Sequence, residues 1–214
     1  MSKSNKYGYS GVDIPTQAFQ ANVGKFDPAE INQLVQEDKW TQYGQLELIE
    51  TVSITGTPSS FSFDNLQTDK YDTHFITVNN YKPQTDNRHL LIQFKVGGTV
   101  DSATNYRYAM LRMTGATQAY LRSDNDSKIW LAYNCGNATG ESLNGYFYIY
   151  NAGNSTSFTQ LTSQFMMIDK DTNQSMNFTT ALHDQLQSVN GFEFSTSGGN
   201  LEHGTFSLYG IRYS

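Results

Sequence analysis

Apolar and polar residues alternate with a period of two along most of the chain after Trp40, which is the spacing of β-strands. The segment LELIETVSI begins this pattern, and HLLIQFKV, NGYFYIYN and SFTQLTSQFMMI continue it. In the first of these segments the alternation predicts an inward face that is formed by Leu46, Leu48, Val52 and Ile54. The pattern therefore predicts that most of the chain is built from strands.

Roughly ten such segments follow one another with turn residues between them and without alternating helices. This order predicts an all-β fold, a β-sandwich or jelly-roll-like domain, rather than a parallel sheet covered by helices. The last segment, GTFSLYGIRY, has Phe206 and Leu208 on one face and Tyr209, Ile211 and Tyr213 on the other. Because strands that are apolar on both faces are typical of sheet interiors, we predict an interior closing strand.

One short helix is predicted ahead of the strands, in the segment FDPAEINQLVQEDKW. Asp27 is a suitable N-cap, Pro28 suits the first helical position, and Glu30 lies at the spacing of a capping box. The apolar residues of this segment form a single stripe, made by Ile31, Leu34 and Val35. We expect this helix, within residues 27–40, to cover one end or edge of the β domain.

The first 26 residues carry glycine and proline with apolar anchors at intervals, which a pure linker has no reason to contain. The anchors proposed as an interaction surface are Tyr7, Tyr9, Ile14, Phe19 and Phe26. We interpret this segment as an extended N-terminal arm that docks on its own domain or on a neighbouring subunit; a disordered tail is the alternative. The predicted division is an arm over 1–26, a helix within 27–40 and one sandwich domain over 41–214.

The composition of the chain argues against some classes of partner. Charged residues make up 16% of the chain, aromatic residues 14%, and the net charge is −6. The aromatic residues supply a core, and the acidic balance argues against nucleic acid as a partner, since binding there depends on Lys and Arg. The sequence has neither an apolar stretch of roughly 18 residues nor a secretory signal, so we expect no membrane partner and synthesis in a reducing cytoplasm.

Residues with catalytic or metal-binding potential are few and scattered. The four histidines show no ligand spacing, no GxSxG motif accompanies them, and Cys135 stands alone. We expect His74 to be a hydrogen-bonded core or rim residue, His183 to lie in a loop or short helix, and Cys135 to be a plain thiol. The acidic turn RSDNDSK lacks the glycine and glutamate of an EF-hand. We therefore predict a non-enzyme without cofactor or metal.

Tyrosines stand out among the remaining candidates. Tyr146, Tyr148 and Tyr150 share one predicted face, and Tyr106 and Tyr108 share another. Such ladders are compatible with cross-strand packing, with contacts between subunits, or with a platform that binds a sugar. The sequence leaves these three alternatives open, and Tyr146, Tyr148 and Tyr150 are the candidate interaction residues.

The closing segment GGNLEHGTFSLYGIR, with its FSLYGI sequence, resembles the C-terminal strand of virion structural proteins of tailed bacteriophages. The segments SGVDIPTQAF, GKFDPAEINQLVQEDKWTQYGQLELIE and SFSFDNLQTDKYDTHFI resemble the opening of virion proteins of marine cyanophage type. The resemblance covers the ends of the chain, and the middle only as a pattern of strands.

The resemblance implies a structural component of a virion, assembled in the host cytoplasm, that has no catalytic residues. Its expected partners are other virion proteins and copies of itself, with a trimer as the expected homo-oligomer. A capsid decoration or head-fibre protein and a tail component both fit the sequence. The alternative function is a virion-borne module that binds a host-surface glycan, for which the exposed tyrosines would serve.

Overall fold

The computed structural model describes residues 28–36, 46–115 and 117–211. The helix α1 (Pro28–Gln36) belongs to one compact unit, and the strands belong to a second unit within residues 45–213. In chain order the strands are β1 (Leu46–Ser53), β2 (Ser60–Phe63), β3 (Thr73–Pro83), β4 (Arg88–Val96), β5 (Thr99–Val100), β6 (Tyr106–Thr114), β7 (Thr117–Asp126), β8 (Ile129–Cys135), β9 (Leu143–Tyr150), β10 (Gln160–Ile168), β11 (Gln174–His183), β12 (Gly191–Thr196) and β13 (Leu201–Ile211). The predicted all-β sandwich with one short helix is confirmed, whereas the predicted arm lies outside the described residues.

The strands form two antiparallel sheets that pack face to face. The larger sheet has eight strands in the order β1-β13-β3-β9-β10-β11-β6-β7. The smaller sheet has the order β2-β12-β4-β5, and β8 also pairs with β4. The closing strand β13 lies between β1 and β3, which confirms that it is an interior strand.

Aromatic side chains dominate the core between the two sheets. The ring of Phe194, on β12, lies at the centre of this cluster, 4.8 Å from Phe206 and 5.0 Å from Phe61 between ring centroids. Phe192 and Phe147 contact the same ring at 5.5 Å and 5.9 Å. Edge-to-face and tilted contacts of this kind add to the burial of the rings, so this cluster couples the two sheets.

The first strand differs from the prediction because it contains a β-bulge. Leu48 pairs with Tyr209 and Glu50 pairs with Leu208, so one extra residue, Ile49, lies between the two pairs. After this bulge the alternation changes phase, and Ile49 and Val52 pack against the core, with Ile54 buried beyond the end of the strand. The prediction that Leu46 and Leu48 point inward is wrong: they are 52% and 60% exposed.

Strand β11 was not predicted, because its polarity is inverted. Its buried side chains are small or polar, namely Ser175, Asn177, Thr179, Ala181 and His183, whereas Met176, Phe178 and Leu182 lie on the opposite face. Two of the buried polar side chains bond to β8, which packs on this face. The Asn177 carboxamide oxygen accepts a hydrogen bond from the Tyr133 amide at 3.3 Å, and Thr179 Oγ1 donates to the Trp130 carbonyl at 3.2 Å.

The SLYG sequence of β13 is explained by its neighbours on both faces. Leu208 faces the core, while Tyr209 pairs with Leu48 and Phe75 on the opposite face. Gly210 lies beneath the ring of Tyr71, and a Cβ at this position would lie 2.3–2.5 Å from three ring atoms. A side chain at position 210 therefore requires that Tyr71 move.

We expect Gly210→Ala to lower the free energy of unfolding by about 1–3 kcal/mol, the usual cost of overpacking. Urea denaturation of wild-type and variant protein measures this cost. In a Tyr71→Ala background the same glycine substitution should cost less than about half as much, because the two positions are coupled by contact. Equal costs in both backgrounds would show that the ring of Tyr71 is not the obstacle.

Candidate functional site

The face of the larger sheet that points away from the smaller one, here called the outer face, carries most of the candidate residues. Three rows of directly paired residues cross it. The upper row is Leu46, Ile211, Thr73, Tyr150, Gln160, Leu182 and Arg107. The middle row is Leu48, Tyr209, Phe75, Tyr148, Thr162, Thr180, Ala109 and Arg122. The lower row is Thr51, Ser207, Thr77, Tyr146, Gln164, Phe178, Leu111 and Tyr120.

Five aromatic rings form one patch on this face, here called the aromatic patch. It consists of Phe75, Tyr146, Tyr148, Tyr150 and Tyr209, with Phe75 at its centre. The Phe75 ring centroid lies 4.9 Å from that of Tyr148, 5.7 Å from Tyr146 and 6.1 Å from Tyr209. Tyr148 and Tyr150 are stacked at 6.0 Å. The predicted ladder Tyr146, Tyr148 and Tyr150 is thus one side of a larger aromatic surface.

Two tyrosine hydroxyls of the patch, those of Tyr146 and Tyr150, bond to the neighbouring strand β10. Tyr146 donates to the Gln164 carboxamide oxygen at 2.9 Å, and the Tyr150 and Thr162 hydroxyls lie 3.3 Å apart. These bonds hold the rings along the sheet, so the patch presents ring edges and faces in a fixed arrangement. A rigid aromatic surface loses little conformational entropy when a partner binds.

The outer face is uncharged over most of its width. From β1 to β11 none of the residues in the three rows is charged, and the first charged members are Arg107 and Arg122 on β6 and β7. Large apolar side chains are exposed here, with Leu48 at 60%, Leu46 at 52% and Tyr146 at 37%. Contiguous exposed apolar surface on a folded domain marks an interaction site.

The two predicted groups of tyrosines have different roles. Tyr106 and Tyr108 are buried on the core side of β6, so their interpretation as a possible contact surface is wrong. The Tyr106 hydroxyl donates to the Asp101 carbonyl at 2.8 Å and accepts from the Phe94 amide at 3.0 Å. The proposed anchors of the arm, Tyr7, Tyr9, Ile14, Phe19 and Phe26, lie outside the described residues.

Two histidines of the β unit, His74 and His89, serve packing. His74 is fully buried, and its Nε2 lies 2.6 Å from the Leu66 carbonyl oxygen, as expected for a hydrogen-bonded core residue. Burial lowers the pKa of His74. His89 is stacked on Tyr133 with a centroid distance of 4.2 Å. Burial, together with the positive charges of Arg88 and Arg112, lowers the pKa of His89 to about 4, so this ring is neutral at pH 7.

The prediction for His183 is wrong, because it ends a strand and is fully buried. Its Nε2 lies 2.7 Å from Asp101 Oδ2, which also accepts a hydrogen bond from the Asn105 carboxamide at 2.9 Å. Burial of Asp101 acts to raise the pKa of its carboxyl, but the hydrogen bonds from Asn105, His183 and the Ala103 amide outweigh it and lower that pKa. This cluster holds the loop before β6 against the end of β11.

The other residues considered as reactive or metal-binding candidates belong to strands of the β unit. Cys135 is buried at the end of β8, and burial raises the pKa of its thiol to about 12. Asp124 and Asp126 belong to the end of β7. Among the described residues no group of three or more His, Cys, Asp and Glu side chains is arranged to hold a metal ion. Within the described part of the chain, no helix has the length and apolar character to cross a bilayer.

Sequence reasoning identified the tyrosines of β9 but missed their partners on adjacent strands. Tyr209 was recognised only as an apolar residue of its own strand, Phe75 was not singled out, and Leu48 was assigned to the core. The available signal was that β3 and β13 are apolar at consecutive positions. Such strands are either buried on both faces or have one buried face and one exposed apolar face.

Comparisons with known proteins place few constraints on this chain. No protein-family model matches it, and no curated protein matches it. Among solved structures, the chain is similar to the CBM2 module of the evolved Dit of Lactobacillus casei BL23 phage J-1, at 10% sequence identity and a TM-score of 0.23. That similarity covers 72% of this chain and 70% of the other chain.

Proposed function

We propose that this protein is a non-enzymatic structural component of a tailed-phage virion, either a capsid decoration or head-fibre protein or a tail component. It acts through contacts with copies of itself and with other virion proteins, and the expected homo-oligomer is a trimer. The resemblance of its terminal segments to virion proteins supports the proposal that the protein is part of a virion. The observation that carries the mode of action is the uncharged, exposed surface of the outer face from Leu46 to Tyr146.

The physical reason is the free energy of apolar burial. Each square ångström of apolar surface removed from water contributes about 25 cal/mol, and the stiff aromatic patch loses little entropy on contact. Leu46 and Leu48 extend the patch to β1, which is an edge strand of the larger sheet. On this side of the face no residue of the three rows carries a charge that a partner subunit would have to desolvate.

We expect Leu48→Glu to weaken self-association by about 100-fold or more, because a carboxylate would be buried without a partner. Leu186→Glu is the matched control, since Leu186 is 58% exposed but lies between β11 and β12, outside the three rows. Sedimentation velocity across a range of protein concentrations measures both variants. A wild-type protein that stays monomeric at all concentrations would remove the homo-oligomer from the proposal, and equal effects of the two variants would remove the outer face.

The virion setting is tested by immunogold electron microscopy of the phage that encodes this chain. Label over the head would support a decoration or head-fibre protein, and label confined to the tail would support a tail component. Particles that carry neither label nor this protein in their composition would contradict the proposal.

The second candidate function is a virion-borne module that recognises a host-surface glycan. The observation that favours it is a groove on the other side of the outer face, over β10, β11 and β6. This part of the face has a different lining from the aromatic patch, with hydroxyl, amide and charged groups among its side chains.

A further inference from the structure

A groove crosses the outer face where the side chains of the middle row are short. Thr162, Thr180 and Ala109 occupy adjacent positions of this row on β10, β11 and β6, and all three are exposed. The rows on either side carry larger side chains, including Leu182 and Phe178 on β11. Short side chains between taller ones produce a trench that runs across the strands.

Two adjoining hollows of about 510 and 520 Å³ occupy this trench. Both are lined by Ala109, Thr162, Thr180 and Arg122, so they are the two sides of one groove over the same floor. The residues that line the two hollows belong to β7, β6, β11 and β10, which span three strand spacings, or about 14 Å. The groove is therefore long enough for an extended ligand and open to solvent along its length.

The floor of the groove does not suit an extended peptide. β10, β11 and β6 each pair with a strand on both sides, so their backbone N–H and C=O groups are already bonded within the sheet. A peptide lying across them would find no backbone ladder, which is the main source of affinity when a strand is added to a sheet. The ligand has to be recognised by side chains alone.

The side chains available are those that recognise sugars. Thr162 and Thr180 present hydroxyls on the floor, Gln160 presents a carboxamide, and Arg122 and Asp124 lie at the β7 end. Tyr120 is 78% exposed on the wall and offers a ring face to the apolar side of a pyranose. These side chains include both hydrogen-bond donors and hydrogen-bond acceptors. Sugar hydroxyls can pair with both, because each hydroxyl donates and accepts hydrogen bonds.

The charges at the β7 end select against an anionic ligand. Arg107, on the wall, is paired with Asp184, and Arg122 shares this end of the groove with Asp124. The two arginines are thus accompanied by two carboxylates, and the local charge is balanced. An acidic sugar would meet Asp124 without a surplus of positive charge to compensate it.

We propose that this groove binds a neutral oligosaccharide, with its chain laid across β10, β11 and β6 and its rings over Thr162, Thr180 and Ala109. The proposal rests on the second candidate function for the outer face and is independent of the assembly role of the aromatic patch. The ligand is neutral because the charges at the β7 end are balanced, and it contains several linked sugars because the groove is longer than a single ring.

Titration of ¹⁵N-labelled protein with neutral tetrasaccharides built from glucose, mannose, galactose or N-acetylglucosamine, and with one sialylated tetrasaccharide, tests this proposal by NMR. At least one neutral tetrasaccharide should shift the backbone amides of Thr162, Thr180 and Ala109 with a Kd of about 1 mM or tighter. Ala109→Trp fills the groove and should weaken that binding at least about tenfold, and Arg122→Ala should weaken it by a similar factor through a lost hydrogen bond to a charged group.

Asn79→Trp is the matched control, because Asn79 is an exposed position of β3 on the same face but outside the groove, and its binding should equal that of wild type. Three results would overturn the proposal: no shift of the floor amides by any tetrasaccharide at 10 mM (about tenfold above the expected Kd), unchanged binding by Ala109→Trp, or binding only of a sialylated tetrasaccharide. None of these results bears on whether the protein is found in the virion. Failure of the oligosaccharide proposal can therefore be distinguished from failure of the proposed virion role.

Discussion

Replacement of Phe194 by alanine is expected to lower the free energy of unfolding by about 3–5 kcal/mol, the range for deleting a fully buried aromatic side chain. The reason is that Phe194 touches rings from both sheets, including Phe206 and Phe147 on the larger sheet and Phe61 on the smaller one. Because rigid strands surround the ring, the cavity cannot close without moving a whole sheet. Urea denaturation at constant pH measures the loss.

The matched control is Phe158→Ala. Phe158 is 37% exposed and takes no part in the aromatic core, so its removal should change stability by no more than about 1 kcal/mol. A Phe194→Ala protein as stable as the Phe158→Ala protein would mean that the two sheets are held together by something other than this cluster.

Loss of the Asp169 carboxylate should cost a comparable amount, about 3–5 kcal/mol in Asp169→Ala, because it breaks a buried ion pair from one side. The Asp169 side chain is 1% exposed, and its Oδ2 accepts a hydrogen bond from Arg112 Nη2 at 2.7 Å. Its Oδ1 accepts from the amides of Asp171 and Asn173, both at 3.0 Å, and so fixes the turn between β10 and β11. The substitution leaves Arg112 with its charge in a mostly buried position.

Asp171→Ala provides the comparison within the same turn. Asp171 is 57% exposed and pairs with Lys170, so this exposed ion pair should contribute no more than about 1 kcal/mol. Thermal and urea denaturation of the two variants should therefore differ clearly. Similar stabilities would show that the Arg112–Asp169 pair adds nothing beyond what an exposed pair provides.

The sequence was sufficient for the fold class, because most strands have the alternation that one buried face requires. It was also sufficient for the interior position of β13, since apolar residues occur on both of its faces. The bulge at Ile49 could not be predicted, because a one-residue change of phase depends on the register of the partner strand. For that reason Leu46 and Leu48 were assigned to the core although they are exposed.

The candidate site was predictable only in the part that lies on one strand. Tyr146, Tyr148 and Tyr150 are two residues apart, so a single segment reveals them, whereas Phe75 and Tyr209 join them through pairing between strands far apart in sequence. The groove was beyond sequence reasoning for the same reason. Its floor consists of one small residue from each of three strands, and no segment of the chain shows them together.

The inverted polarity of β11 makes hydrophobic burial a poor guide to its register. A shift by one residue would turn Met176 and Phe178 towards the core, which apolar burial alone would favour. The native register is selected instead by directional bonds: Asn177 and Thr179 meet backbone groups of β8, and His183 meets Asp101. The bonds of Asn177 and Thr179 require β8 to be packed against this side of the sheet. The register of the exposed side of β11, which carries part of the groove, is therefore specified by hydrogen bonds on the opposite, buried side of the same strand.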